Sequence, residues 1–455
     1  MQREQTASPR HQGKSASGRL FDVSRQWLPG GNSRHSIFFP PHPLYIASAA
    51  GCRVVDVDGT SRIDCINNMS ALVHGHAFEP VKRAVSQQLE RVMSAGMPTE
   101  VEVELARTLC ERVSSVDRVR FCTSGSEAIM FAIRAARAYT GRNKIAKAEG
   151  AYHGSYDSVE ISLTPPPDTA GPAQHPRAVP ASPGLPNGCE HGTLVFPFND
   201  REHTLALIDA NADELAAVIV DPVISRLGFV EGDRDYLAAI RERCSRHGIV
   251  LIFDEVFSFR LAHGGSQALV QLEPDLTAFG KVIGGGLPIG AVGGGKAFMD
   301  VFDQLENPRP VEHSGTHFAN PLSMAAGKAA LDALDSDCLA HLSDLGVTLR
   351  DGMKEAFEQH AIPGHAAGVG SLVCALLAPH PLRNYRDFLG VMANGGATFG
   401  RALHRAMLDR GAQIVPGGGF ILSSAMDHSD VAELLTMFNE SLSVLSDYAE
   451  QVAAG

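Results

Sequence analysis

The sequence predicts an α/β fold, with a mainly parallel sheet between helices and a second, smaller domain. Three observations carry this. Runs such as 216–223 (AAVIVDPV) and 249–256 (IVLIFDEV) are continuously apolar, the pattern of strands buried on both faces. Amphipathic helical patterns alternate with them, as βαβ units require. Hydrophobic residues make up 44% and charged residues 20% of 455 positions, enough for a large core and too apolar for a disordered chain. That length suggests roughly two to three compact units.

Residues 1–20 read as a polar, disordered arm. Its first part has no apolar stretch that could act as a signal peptide, and no run in the chain approaches the roughly 18 apolar residues of a membrane helix. Residues 51–68 read as two short strands joined by an Asp58-Gly59 turn. Val81, Val85, Leu89 and Val92 recur at helical spacing, as do Val101, Leu105, Leu109 and Val113. A strand follows at 118–124, then a helix at 126–141 ending at Gly141. Residues 162–190 hold eight prolines, Pro165 to Pro186, and read as a long surface loop. Beyond it come the strand at 216–223, a helix at 235–248 and the strand at 249–256. After residue 330 or so the pattern changes to helix, short strands and helix, which predicts the separate smaller domain.

Charge and cysteines exclude several classes. The formal net charge of −12 leaves no electrostatic footprint for nucleic acid or an anionic membrane. The eight cysteines are scattered without a C-x-x-C pair, which predicts reduced thiols in a cytoplasmic protein and no metal centre. His313 and His317 have i, i+4 spacing but sit around a glycine, with no third ligand in view.

In open α/β sheets ligands bind at the carboxyl ends of strands, and four strands end in reactive residues. Thr123-Ser124-Gly125-Ser126 leads into a helix and suits a phosphate, although an ordinary N-cap reads the same. Asp254-Glu255 places two acids after an apolar run; buried acids need partners, either a ligand or a structural ion pair. Lys281 ends the run 276–281 and precedes a glycine-rich segment. A poorly solvated lysine there is nucleophilic toward carbonyls, whereas a solvated one in a loop is inert. Asp221 ends the fourth run, followed by Ser225-Arg226.

Together these residues resemble the class III (subgroup II) aminotransferases, pyridoxal-phosphate enzymes of fold type I. The similarity is greatest to the glutamate-1-semialdehyde aminomutase and β-amino-acid (β-phenylalanine) aminotransferase groups. It runs from about Leu28 to the C-terminus and rests on five segments in the family's order: TSGSEA (123–128), AYHGSYD (151–157), FDEV (253–256), FGKVIGGGLPIGAVGG (279–294) and HSGTHFANPLSMAAG (313–327). The resemblance implies that Gly125 and Ser126 bind the cofactor phosphate and that Tyr152 covers the ring with His153 beside it. It further implies that Asp254 pairs with the ring nitrogen, Val256 packs on the ring, Lys281 is the Schiff-base lysine, and Thr316 reaches the phosphate of the partner subunit in a homodimer. The fold it implies has a large cofactor domain over 81–330 and a smaller α+β domain from 21–80 and 331–455.

The chain departs from the family at its substrate residues. Many class III enzymes have an arginine near the C-terminus, where this chain has Gly417-Gly418-Gly419, and an EPxQ segment, where it has DPVISRLG (221–228). Arg226 either binds an anion there or is a surface or ion-paired arginine. Arg34 matches the N-terminal arginine that holds a carboxylate in the two nearest groups, through a bidentate fork. Arg260 is expected to order the active-site loop. The glycine run also lacks the acid found in the aminomutases, which favours transfer of an amino group from a β-amino acid or similar amine to a keto acid. The alternatives are an aminomutase or a racemase of amino acids or lactams on the same fold.

Overall fold

The computed structural model describes residues 15–445. In chain order the strands are β1 (Ile46–Ala50), β2 (Arg53–Asp56), β3 (Ser61–Asp64), β4 (Arg118–Cys122), β5 (Lys144–Ala148), β6 (Thr193–Phe196), β7 (Leu215–Val220), β8 (Val223–Ile224), β9 (Val230–Glu231), β10 (Val250–Asp254), β11 (Leu276–Gly280), β12 (Gly290–Gly294), β13 (His365–Val369), β14 (Leu372–Leu376), β15 (Ala412–Gln413) and β16 (Gly419–Ile421). Seven of them form one sheet in the order β4-β12-β11-β10-β7-β5-β6. Its strands run parallel except β12, which is antiparallel to both neighbours.

The apolar runs form strands because both faces are covered. On β7, Val218 and Val220 pack under the Arg201–Ala210 and Arg234–His247 helices, while Ala217 and Ile219 face the Gly125–Thr140 helix. The alternation is the strand's period of two. The antiparallel β12 was not anticipated, since its GAVGG sequence reads as a loop. It forms a strand because it pairs with β11 and β4 on either side, with Ala291 and Val292 in the core and glycines where a side chain would not fit. A Cβ on Gly290 would stand 2.0 Å from the Ser124 carbonyl oxygen.

β1, β2 and β3 make a sheet that is completed by β15, parallel to β3. β13, β14 and β16 form another. Their common core joins Ile63 and Cys65 to Leu349, Phe357, Phe420 and Phe438, so both ends of the chain share one hydrophobic interior. The disordered arm expected over 1–20 is corrected in part. Ser15 caps a helix over Ala16–Ser24, tied down by bonds from the Ala16 and Ser17 amides to Asp58. Residues 1–14 lie outside the described residues. The proline-rich segment forms no strand or helix over most of its length and is mostly exposed, a surface loop anchored at a few buried points. Ala170 is fully buried and Ser162 Oγ donates to the Arg177 carbonyl at 2.8 Å.

Among the described residues no helix is long and apolar enough to cross a membrane. All eight cysteines are unpaired.

Candidate active site

The carboxyl ends of β4, β5, β7, β10 and β11 open on one cavity of about 390 Å³. Each contributes a residue or turn. Beyond β4, Ser124 caps the Gly125–Thr140 helix by accepting from the Glu127 amide at 3.2 Å, and Glu127 folds back to accept from the Thr123 amide at 2.7 Å. This leaves Gly125 and Ser126 at a positively polarised helix end. A Cβ on Gly125 would meet Val256 at 2.7 Å, so the turn and Val256 are in close register.

Beyond β5, Tyr152 keeps 45% of its surface exposed at the cavity, with the Arg226 guanidinium carbon 5.9 Å from its ring centre. His153 is buried, and its Nδ1 lies 2.8 Å from Asp254 Oδ2. Burial lowers the His153 pKa against the opposing pull of Asp254, so Nδ1–H donates to the carboxylate. The Val256 amide donates to Asp254 Oδ1 at 3.0 Å. Two donors thus orient this acid.

The neighbouring acid has another purpose. Glu255 points away into five hydrogen bonds from Ser258, Ser266 and Gln267. Asp254 thus faces the cavity, while Glu255 is satisfied by neutral donors and forms no ion pair among the described residues.

Lys281 follows β11 in a left-handed conformation, φ 50°, a strained state for a residue that carries a Cβ. Its Nζ lies 4.2 Å from the centre of the Phe257 ring. Burial lowers its pKa to about 8, opposed by Asp254 and Asp221. Asp221 itself is pushed well up, first by burial and then by Asp254.

A left-handed turn over Asn67–Ser70 closes the cavity's other side, with φ between 47° and 79° at four successive residues. Asn67 holds it, donating through Nδ2 to the carbonyls of Asp64 and Ile421 at 3.1 and 2.7 Å. Asn68 Oδ1 then accepts from Arg34 Nη1 at 2.8 Å, and both residues line the cavity.

Of the residues expected at the site, Arg34, Gly125, Ser126, Tyr152, His153, Asp254, Val256 and Lys281 line this one cavity. Arg226 lies in an adjoining cavity of about 250 Å³, which shares Met69, Ser225 and Phe257 with the first. Thr316 is elsewhere, in an open groove with Met97 and His313. His313 packs against the rings of Phe131 and Phe318. Arg260 is fully buried behind the site and donates to the Leu422 carbonyl.

The adjoining cavity was missed by sequence reasoning. Phe229, Phe257, Leu376, Phe388, Met392 and Val415 make it apolar, and Gly417 and Gly419 contribute bare backbone. These residues are scattered over nearly two hundred positions and carry no motif.

A part-buried lysine with a lowered pKa, an acid oriented by two donors and a helix N-terminus meet at the strand ends. That set suits a phosphorylated carbonyl compound with a basic ring nitrogen, and the fit supports the pyridoxal-phosphate expectation. The family profile of the class-III aminotransferases matches residues 39–410. The chain belongs to this family and is an enzyme of it. It is 37% identical to a glutamate-1-semialdehyde 2,1-aminomutase of Lachnoclostridium phytofermentans, over 94% of this chain and 99% of that protein. An omega-transaminase from Sphaerobacter thermophilus superposes with a TM-score of 0.92 at 42% identity, covering 95% of this chain and 98% of that one. A beta-phenylalanine aminotransferase from Variovorax paradoxus superposes with 0.85 at 30% identity, covering 95% and 94%.

Proposed function

We propose that the protein is a pyridoxal-phosphate-dependent aminotransferase. It would move an amino group from a carboxylate-bearing amine, a β-amino acid or a close relative, to a keto acid. Pyridoxal phosphate, when bound, supplies a carbonyl that takes up the amino group and a ring that withdraws electrons from the reacting carbon. The chain's residues do the rest. Gly125 and Ser126 hold the phosphate at the helix N-terminus. Asp254, oriented by His153 and the Val256 amide, keeps the ring nitrogen protonated, with Val256 and Tyr152 packed on the ring. Lys281 holds the cofactor, and its freed Nζ then moves the proton at the substrate carbon.

Arg34 presents a guanidinium whose hydrogen bond is to a neutral amide, Asn68, so it has charge left for a substrate carboxylate. Arg226 pairs with no carboxylate among the described residues, and burial lowers its pKa; it takes a second anionic group. The observation that carries the reading is the apolar cavity beside Lys281. An amine with an apolar substituent fills it against Phe229, Phe257 and Phe388.

The second reading, an intramolecular aminomutase, is favoured by the name of the Lachnoclostridium relative. One experiment separates them. Adding a β-amino acid to cofactor-loaded protein should bleach the visible absorbance, and a keto acid should restore it; turnover without any keto acid would point to the mutase. Lys281→Ala should abolish the change, and Arg226→Ala should weaken carboxylate substrates. Thr316 supports a homodimer, since it lies outside its own subunit's cavity, and the unpaired thiols support a cytoplasmic setting.

A further inference from the structure

The apolar cavity has one wall with an unusual origin. Phe388 and Met392 line it, four residues apart on one helical face. They come from the Tyr385–Val391 helix and the wide turn Met392–Gly396 that follows it. That turn is broken at Asn394 (φ −94°, ψ 43°) and Gly395 (φ 92°) before the Ala397–Arg410 helix begins. The later helix is therefore not a rigid continuation that by itself fixes where Phe388 sits.

The other candidate is the start of the helix, which is fastened to the large domain. Arg386 Nε and Nη2 donate to the two carboxylate oxygens of Glu149, both at 2.7 Å, and Nη2 also donates to the Ala170 carbonyl at 2.9 Å. The Tyr385 hydroxyl donates to the Pro165 carbonyl at 2.9 Å. Gly150 makes room for the same tyrosine, since a Cβ there would stand 2.6 Å from its ring. Glu149 has only 2% of its side chain exposed. Burial raises its pKa, and Arg386 is the strongest opposing influence. A bidentate pair of this kind fixes direction as well as distance. Glu149 also immediately precedes the segment that carries Tyr152 and His153, so the clamp sets the apolar wall relative to the cofactor side of the site.

We propose that Phe388 and Met392 are specificity-determining residues that touch the apolar substituent of the amino donor, and that Arg386 is the positioning residue that holds them in place through Glu149. The inference rests on the aminotransferase reading and deepens it: the donors are amines whose substituent is aromatic or branched and uncharged.

The test compares a large and a small donor, 3-amino-3-phenylpropanoate and 3-aminobutanoate, by kcat/KM. It also compares their amine-free analogues, 3-phenylpropanoate and butanoate, by calorimetric binding to the cofactor-loaded protein. Phe388→Ala and Met392→Ala should each lower the large-to-small ratio roughly tenfold in both measurements. Arg386→Ala should reproduce that shift, and Arg386→Lys should recover part of it. Unchanged ratios in Phe388→Ala and Met392→Ala overturn the wall. Equal loss for both donors in Arg386→Ala overturns the positioning role, because a merely structural pair would not discriminate. Neither wall variant removes the ion pair, so the wall is decided even where Arg386→Ala does not fold. If the parent turns over neither donor, the aminotransferase reading falls, while the ratio of analogue affinities still tests the wall.

Discussion

Lys281 is where local chemistry is most exposed to measurement. Burial lowers its pKa to about 8 from 10.5, against the opposing pull of Asp254 and Asp221. Below that value Nζ is charged and cannot attack a carbonyl; above it the free amine is available. Loading of cofactor-free protein with pyridoxal phosphate should therefore accelerate with pH and level off past a midpoint near 8, with Lys281 identified by borohydride reduction and mass spectrometry. A midpoint near that of an ordinary lysine would contradict the assigned environment. Lys147 is a second test of burial. It is fully buried on β5, donates to the Ala148 and Ile161 carbonyls, and has its pKa lowered to about 7 by burial first and Arg226 second. Between that value and 10.5 the unfolded chain binds more protons than the folded one, so this residue's contribution to stability rises with pH. The melting temperature of the parent should climb relative to Lys147→Met as pH increases from 7 to 10. A constant difference would refute the sign.

Among the elements, the Asn67–Ser70 turn is the one held against its intrinsic preference. Left-handed residues other than glycine cost roughly 1–2 kcal/mol each, and Asn67 offsets this with two hydrogen bonds to backbone carbonyls. Asn67→Ala should lower stability by about 2 kcal/mol and, by releasing Asn68, weaken carboxylate binding at Arg34. Denaturant unfolding with substrate-analogue titration checks both parts; an unaltered analogue affinity would separate the turn from the site. Nothing in residues 67–70 announces this conformation, although asparagine tolerates it better than most residues. The same limit applies to β12, whose five residues include three glycines and whose strand form depends on β4 and β11 at either side. By contrast, β7 and β10 were legible because burial on both faces leaves a continuous apolar run in the chain itself.

At the scale of the whole molecule, Thr316 lies outside the cavity of its own subunit. It sits in a groove of about 1110 Å³ beside Met97, which is 79% exposed. In a homodimer Thr316→Ala should reduce cofactor affinity by roughly tenfold or more, the value of one hydrogen bond to a charged group. Mixed dimers of Thr316→Ala and Lys281→Ala subunits give the decisive comparison. The subunit with an intact Lys281 receives an intact Thr316 from its partner, so one site per dimer should bind the cofactor with parental affinity. Weak binding there would mean that Thr316 acts within its own chain, and parental affinity in the Thr316→Ala homodimer would mean that it does not act at all.

The sequence by itself determined the chemistry that local segments can carry: a phosphate turn before a helix, an acid closing an apolar strand, a lysine at the end of another. These were readable because a strand end and the few residues after it are contiguous in the chain. The tertiary structure supplies the reason that Asp254, the acid implied by the resemblance, faces the cavity and Glu255 does not: the two differ in the partners that His153, Ser266 and Gln267 bring from elsewhere. It alone also assembled the apolar pocket from residues between 69 and 421. Side chains that meet only after the chain has closed on itself leave no spacing to read. Specificity here depends on such long-range convergence, while the cofactor chemistry depends on the ends of single strands.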